Sequence, residues 1–142
     1  LSVLGCTGSI GQSALRIAAQ FPEKFSVTSL AAGRNIELLA DQIRQFKPEI
    51  AVVIDEAAAT ELAKRLPSNS TVAILHGIDG YCRAASHDPV DITLTAVVGA
   101  AGLQPTLAAI GCYRWRDEAI RRVFPDYGEG QLPLARLTAI AS

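Results

Sequence analysis

The opening stretch LSVLGCTGSIGQSAL, residues 1–15, restricts the possible folds of this chain more than any other segment. A short apolar run ends at Gly5, two further glycines follow at Gly8 and Gly11, and a helical pattern begins at once. An ordinary strand-to-helix turn needs one residue with free access to unusual backbone angles, not three. The surplus is explained if the main chain must approach a phosphate-bearing ligand. Gly5 then turns the chain at the strand end, and Gly8 lets the backbone meet a pyrophosphate with no side chain between them. Gly11 lets the helix pack closely on the sheet. The helix N-terminus adds free N–H groups and the positive end of its dipole. Thr7 and Ser9 bring short side chains and hydroxyl donors to the same rim. The spacing is GxxGxxG rather than GxGxxG, so context carries the reading: strand pattern before, helix pattern after. A turn serving packing alone would need fewer glycines, and a mononucleotide P-loop would need the GK[ST] signature that is missing here.

The remainder of the chain supplies that context. Apolar, β-branched-rich runs recur at residues 2–4, 25–32, 50–54, 71–75 and 91–98. Several are apolar on both faces, as in a parallel sheet covered by helices. Between them lie helical patterns at 11–20, 35–46 and 55–66, with weaker ones at 78–86 and 104–110. Ala14, Leu15, Ala18 and Ala19 share one face of the first; Leu38, Leu39, Ile43 and Phe46 share one face of the second. Asn35 fits an N-cap, and Asp55 and Glu56 suit the first turn of the third helix. Alternation of this kind requires right-handed crossovers. The expected fold is a Rossmann-type, doubly wound α/β domain: five to six parallel strands with helices on both faces. Residues 1–110 are expected to form this NADP(H)-binding domain. Residues 111–142 form a tail of different character, with a short helix over 115–123 and one more strand over 137–141.

The dinucleotide can be read from an absence. A site selective for NAD places Asp or Glu at the end of the second strand, about 20 residues past the glycines, to bind the ribose 2′-hydroxyl. Here that strand ends AAGRN, with Gly33, Arg34 and Asn35 where the acid would stand. A guanidinium pairs with a 2′-phosphate, and a carboxylate would repel it. The expected cofactor is NADPH.

Other features are read as structural. The 142 residues carry a formal net charge of −1, which implies no general attraction to nucleic acid or acidic lipid. No apolar run spans a bilayer. Three scattered cysteines without CxxC spacing fit a reducing, cytoplasmic setting. His76 and His87 have no recognised ligand spacing, and no metal-binding residues are expected. The adjacent Ser86, His87 and Asp88 do not form a catalytic relay, and no catalytic residues are assigned. Arg114, Arg116, Arg121 and Arg122 lie among acids, as on a solvated helix. Cys6 is read as a small neutral residue of the turn. The chain contains no methionine, which suggests a fragment or a processed product.

Three stretches, GCTGSIGQSAL, FSVTSLAAGRNIELLADQIRQFKPEIAVV and VVGAAGLQPTLAAI, together resemble the N-terminal domain of the 1-deoxy-D-xylulose 5-phosphate reductoisomerases. The resemblance covers about residues 1–110. It implies that Thr7, Gly8, Ser9 and Ile10 hold the NADPH pyrophosphate and that Gly33, Arg34 and Asn35 hold the adenosine end. The loop Gly99-Ala100-Ala101-Gly102 would lie near the nicotinamide. It also implies the non-mevalonate isoprenoid route, a sugar-phosphate substrate, and a magnesium or manganese ion held by carboxylates. A homodimer is implied for the full-length protein. Beyond residue 110 the family's ALANKE-like and DSEH-like motifs have no counterpart here. Natural divergence, a shifted reading frame and a junction all account for the tail. On this reading the fragment binds cofactor, does not hold the divalent cation, and is inactive alone. Alternatives are a dehydrogenase of the aspartate semialdehyde type and a non-catalytic NADP(H)-sensing module.

Overall fold

The computed structural model describes residues 1–97, 102–109 and 137–139. The elements run β1 (Ser2–Leu4), α1 (Ser9–Gln20), β2 (Ser29–Ala31), α2 (Ile36–Phe46) and β3 (Ile50–Val53). They continue α3 (Glu56–Arg65), β4 (Ala73–His76), α4 (Gly77–Ser86), β5 (Thr93–Thr95) and β6 (Leu137–Ala139). A further helical segment occupies 103–109. All strand pairings are parallel, in the order β4-β3-β2-β1-β5-β6. The chain therefore steps outward from β1 to β4, then returns to lay β5 on the other side of β1. That reversal creates a switch point between β1 and β5, and the crevice beyond the carboxyl ends of strands at such a point is where ligands bind.

The two faces of the sheet are separately filled. Val3, Leu30, Ala51 and Val53 pack under α1, α2 and α3 through Leu15, Leu39, Ile43 and Leu62. Leu4, Ala31, Ile50 and Val52 face α4 and the 103–109 segment through Ala84, Ala85 and Ala109. Burial on both faces explains why the strands read as continuous apolar runs. Leu30, Leu39 and Leu62 are wholly buried, and each contributes about 1.5–3 kcal/mol relative to an exposed side chain.

Local signals act where the sequence places them. Asn35 caps α2, its side chain accepting from Leu38 N at 3.2 Å. Asp55 caps α3 rather than lying inside its first turn, accepting from Ala58 N at 2.9 Å. The strands are shorter than the apolar runs predict. The run over 25–32 yields only Ser29–Ala31, and that over 91–98 only Thr93–Thr95. Both pair with β1, whose carboxyl end is set by Gly5 turning the chain away at φ +85°; on the amino side of β2, Thr28 N donates to Leu1 O at 2.9 Å without extending the strand. The strand expected over 137–141 appears as Leu137–Ala139, paired with β5. The helix expected over 115–123 lies outside the described residues.

Candidate dinucleotide-binding cleft

The three glycines of the opening turn prove to have three different duties. Gly5 has φ +85°, and a Cβ there would lie 2.4 Å from the Ala96 carbonyl oxygen at the exit of β5. Both conditions exclude a side chain, so Gly5 lets the chain leave β1 directly against its neighbour strand. Gly11 lies within α1, where a Cβ would fall 2.3 Å from Gly5 O and 2.6 Å from Cys6 Cα. The expectation that Gly11 brings helix and sheet together is thus refined: the close approach is to the turn itself. Gly8 differs from both. An added Cβ would make one ordinary contact, 3.4 Å to Gly5 O, so no atom of the described residues requires a glycine there.

Gly8 is the N-cap of α1, with ordinary extended angles and no side-chain cap. The first helical bond is Gln12 N to Gly8 O at 2.9 Å. Among the described residues, no acceptor meets the N–H groups of Ser9, Ile10 or Gly11. The helix also has no acid in its first turn, whereas α2, α3 and α4 carry Glu37, Glu56 and Asp79 there. The N-terminal end of α1 is left with unpaired donors and an unbalanced positive dipole.

This end of α1 opens on a cleft of about 400 Å³. Gly5, Gly8 and Gly33 line it together, with Ala96 and Val97 from the exit of β5. Thr7, Ser9 and Ile10 lie in the turn and first helical residues without lining the cleft, and Gly11 is buried behind them. Arg34 and Asn35 follow Gly33 at the start of α2, both exposed. The Arg34 guanidinium makes no hydrogen bond or ion pair among the described residues, in contrast to Arg44 and Arg65, which pair with Asp41 and Glu61. Residues 99–101 of the expected nicotinamide loop lie outside the described residues. Gly102 is described, and a Cβ there would come within 2.9 Å of Val97 O.

The remaining walls escaped the sequence reading. Ile54, Gly77, Ile78 and Tyr81 complete the cleft. Ile54 follows β3 and Gly77 follows β4, so their position at the carboxyl edge of the sheet was the signal that could have found them. Ile54 and Ile78 are 43% and 42% exposed, giving the cleft an apolar side open to solvent. Tyr81 is fixed by donating its hydroxyl proton to Ala32 O at 2.7 Å. Burial, with a smaller effect from Cys6, pushes its phenol up to about 12, so it stays protonated. Burial likewise pushes the Cys6 thiol up to about 12, and Cys6 is a neutral packing residue at the turn.

No group of three or more His, Cys, Asp or Glu side chains among the described residues could hold a metal ion. His87 instead meets Glu49, Nε2 to Oε2 at 2.7 Å, and His76 is the N-cap residue of α4 without a side-chain bond.

A parallel sheet with its switch point beside a glycine turn, uncapped helix and apolar wall defines a nucleotide-binding domain of the Rossmann type. Residues 1–114 match the family described as 1-deoxy-D-xylulose 5-phosphate reductoisomerase, and this chain belongs to that family. The reductoisomerase of Desulfosudis oleivorans is 43% identical over 135 residues, 95% of this chain but 35% of that protein. That of Laribacter hongkongensis is 49% identical over 110 residues, 78% of this chain and 28% of that protein. The chain thus spans about a third of the length of these relatives. Among solved structures, the Zymomonas mobilis reductoisomerase in complex with NADPH aligns with TM-score 0.73 and 37% identity over 78% of this chain and 29% of that one. A reductoisomerase in complex with NADPH, fosmidomycin and magnesium aligns with TM-score 0.73 and 33% identity, covering 78% and 27%. These relatives do not favour a semialdehyde dehydrogenase or a sensing module. No helix among the described residues is long and apolar enough to cross a membrane.

Proposed function

We propose that this chain is the NADPH-binding portion of a cytoplasmic 1-deoxy-D-xylulose 5-phosphate reductoisomerase. Residues 1–110 form the cofactor-binding domain, and 111–142 add strand β6 to its sheet. The observation that carries the reading is the uncapped α1 N-terminus, whose N–H groups, unpaired among the described residues, adjoin the one glycine of the turn that no contact among those residues demands. A pyrophosphate at Gly8 accepts from the N–H groups of Ser9, Ile10 and Gly11, with the Thr7 and Ser9 hydroxyls beside it. Gly33 leaves the cleft open towards the adenosine, whose base lies against Ile54, Ile78 and Tyr81. Arg34 takes the 2′-phosphate. Asn35 commits its Oδ1 to capping α2, and its Nδ2 remains a donor to the same group.

When bound, NADPH supplies the hydride, and the chain's own residues bind and orient it. The apolar side excludes water from the base, and the helix end balances the diphosphate charge. The described residues do not fit a divalent cation, so no step through a metal is assigned to them. The whole protein's action on a sugar phosphate, yielding 2-C-methyl-D-erythritol 4-phosphate, and its homodimer belong to the longer chain that the family implies. The test is calorimetric titration of the chain with NADPH and NADH. NADPH should bind tens of times more tightly, and Arg34→Ala should abolish the difference while leaving NADH affinity unchanged. Equal affinity of the parent chain for both cofactors refutes the assignment.

A further inference from the structure

In the glycine turn, the hydrogen bonds are sorted by polarity. Four consecutive carbonyl oxygens, those of residues 5–8, are all occupied from within the protein. Gly5 O accepts from Gly8 N at 3.0 Å and Gly8 O from Gln12 N at 2.9 Å. The other two are taken by side chains from different helices. Cys6 O accepts from Gln42 Nε2 at 2.9 Å, and Thr7 O from Gln12 Nε2 at 2.8 Å. On the donor side, Gly5 N and Cys6 N are held by Ala31 O at 2.8 and 2.9 Å. The N–H groups of Ser9, Ile10 and Gly11 have no acceptor among the described residues.

We propose that Gln42 is a positioning residue for the dinucleotide site: with Gln12, it holds the turn's carbonyl oxygens away from the bound pyrophosphate so that N–H groups alone face the anion. The proposal rests on the cofactor reading above. The physical need is direct. A peptide unit that rotates to present its oxygen to a phosphate replaces an attraction with a repulsion of similar size, in a site whose affinity depends on backbone dipoles. Cys6 and Thr7 are the two residues of the turn whose carbonyls have no main-chain partner, and both are caught by a glutamine.

Gln42 is an unusual residue for its place. It lies on the buried face of α2, only 6% exposed, where an apolar side chain of similar volume would pack without polar atoms. Its Oε1 is buried without a partner among the described residues, an arrangement that costs stability and so calls for an explanation. The amide orientation is fixed by chemistry, because the group it meets is a carbonyl oxygen and only the NH₂ end can donate. Gln42 also lies two helical turns along α2 from Asn35, so one rigid helix fixes both the turn and the residues beside the 2′-phosphate.

The test compares NADPH with adenosine 2′-monophosphate, which carries the 2′-phosphate and no pyrophosphate. Calorimetric titration of the 142-residue chain should give about tenfold weaker NADPH binding for Gln42→Met, with adenosine 2′-monophosphate affinity unchanged within about twofold. Gln12 is exposed, so Gln12→Met gives a second route: it must show the same split, and it decides the matter if Gln42→Met does not fold. Variants that bind NADPH like the parent overturn the proposal. So does an equal loss of both ligands, which would mark a merely structural role. A parent chain that binds neither ligand overturns the cofactor reading and this proposal with it.

Discussion

Replacing Gly8 and Gly11 separately by alanine tests whether the turn was built for a ligand. At Gly11 two effects oppose each other. Alanine is favoured over glycine inside a helix by about 0.8–1.0 kcal/mol. The new Cβ, however, would stand 2.3 Å from Gly5 O and 2.6 Å from Cys6 Cα, both main-chain atoms that cannot rotate aside. The helix must lift from the turn by roughly 1 Å, an overpacking that costs ~1–3 kcal/mol or more. The net change is a loss of up to about 2 kcal/mol, and for a domain of this size roughly 1 kcal/mol shifts Tm by about 3–5 °C. At Gly8 the Cβ has 3.4 Å of clearance and the backbone angles suit any residue. The loss is the N-cap preference for glycine over alanine, about 0.5–1 kcal/mol. The methyl group nonetheless enters the space the pyrophosphate needs and should break one or two charge-assisted hydrogen bonds, a loss of ~10–100-fold in NADPH affinity. Thermal unfolding followed by circular dichroism and titration with NADPH give the two quantities independently. Gly8→Ala should be nearly as stable as the parent and bind poorly, whereas Gly11→Ala should be measurably less stable. Undiminished NADPH binding by a folded Gly8→Ala protein would refute the placement of the diphosphate.

Two further outcomes follow from the same structure. The Cys6 thiol is raised from its ordinary 9.0 to about 12 by burial; the unfolded chain therefore loses that proton first, and stability should fall above pH 9 by about 1.4 kcal/mol per pH unit until about pH 12. Urea unfolding between pH 8 and 10.5 checks this, and Cys6→Ala should remove that part of the slope. Asp55→Ala deletes the α3 cap made at 2.9 Å to Ala58 N, and should cost about 1 kcal/mol in the same assay at neutral pH; no change would mean that the cap contributes nothing.

Much of this architecture was legible in the sequence because it is specified locally. Apolar runs flanked by helix caps located every element through α4, and Asn35 and Asp55 are caps because short acceptor side chains precede helical patterns. The strand lengths were not legible. The run over 25–32 reads as one strand, but only Ser29–Ala31 pairs with β1 and β3, and which part of an apolar run finds partners is a property of the assembled sheet. The candidate site divides in the same way. Gly5, Gly8 and Gly33 could be named from spacing, whereas Ile54, Ile78 and Tyr81 carry no motif and become neighbours only at the carboxyl edge of the finished sheet.

The order of residues alone determined that this chain alternates strand and helix, that its first turn has more glycine than geometry demands, and that an arginine stands where an acid would select NAD. Backbone preferences and amphipathic periods act over a few residues, so they can be read without knowing what lies across the fold. Tertiary structure decided the strand order that sets β5 beside β1, and it gave the three glycines separate roles. It also turned Gln42 from a polar residue on an apolar helix face into a clasp on Cys6, 36 positions away. Contacts of that kind depend on close packing between distant segments, and no local pattern encodes them.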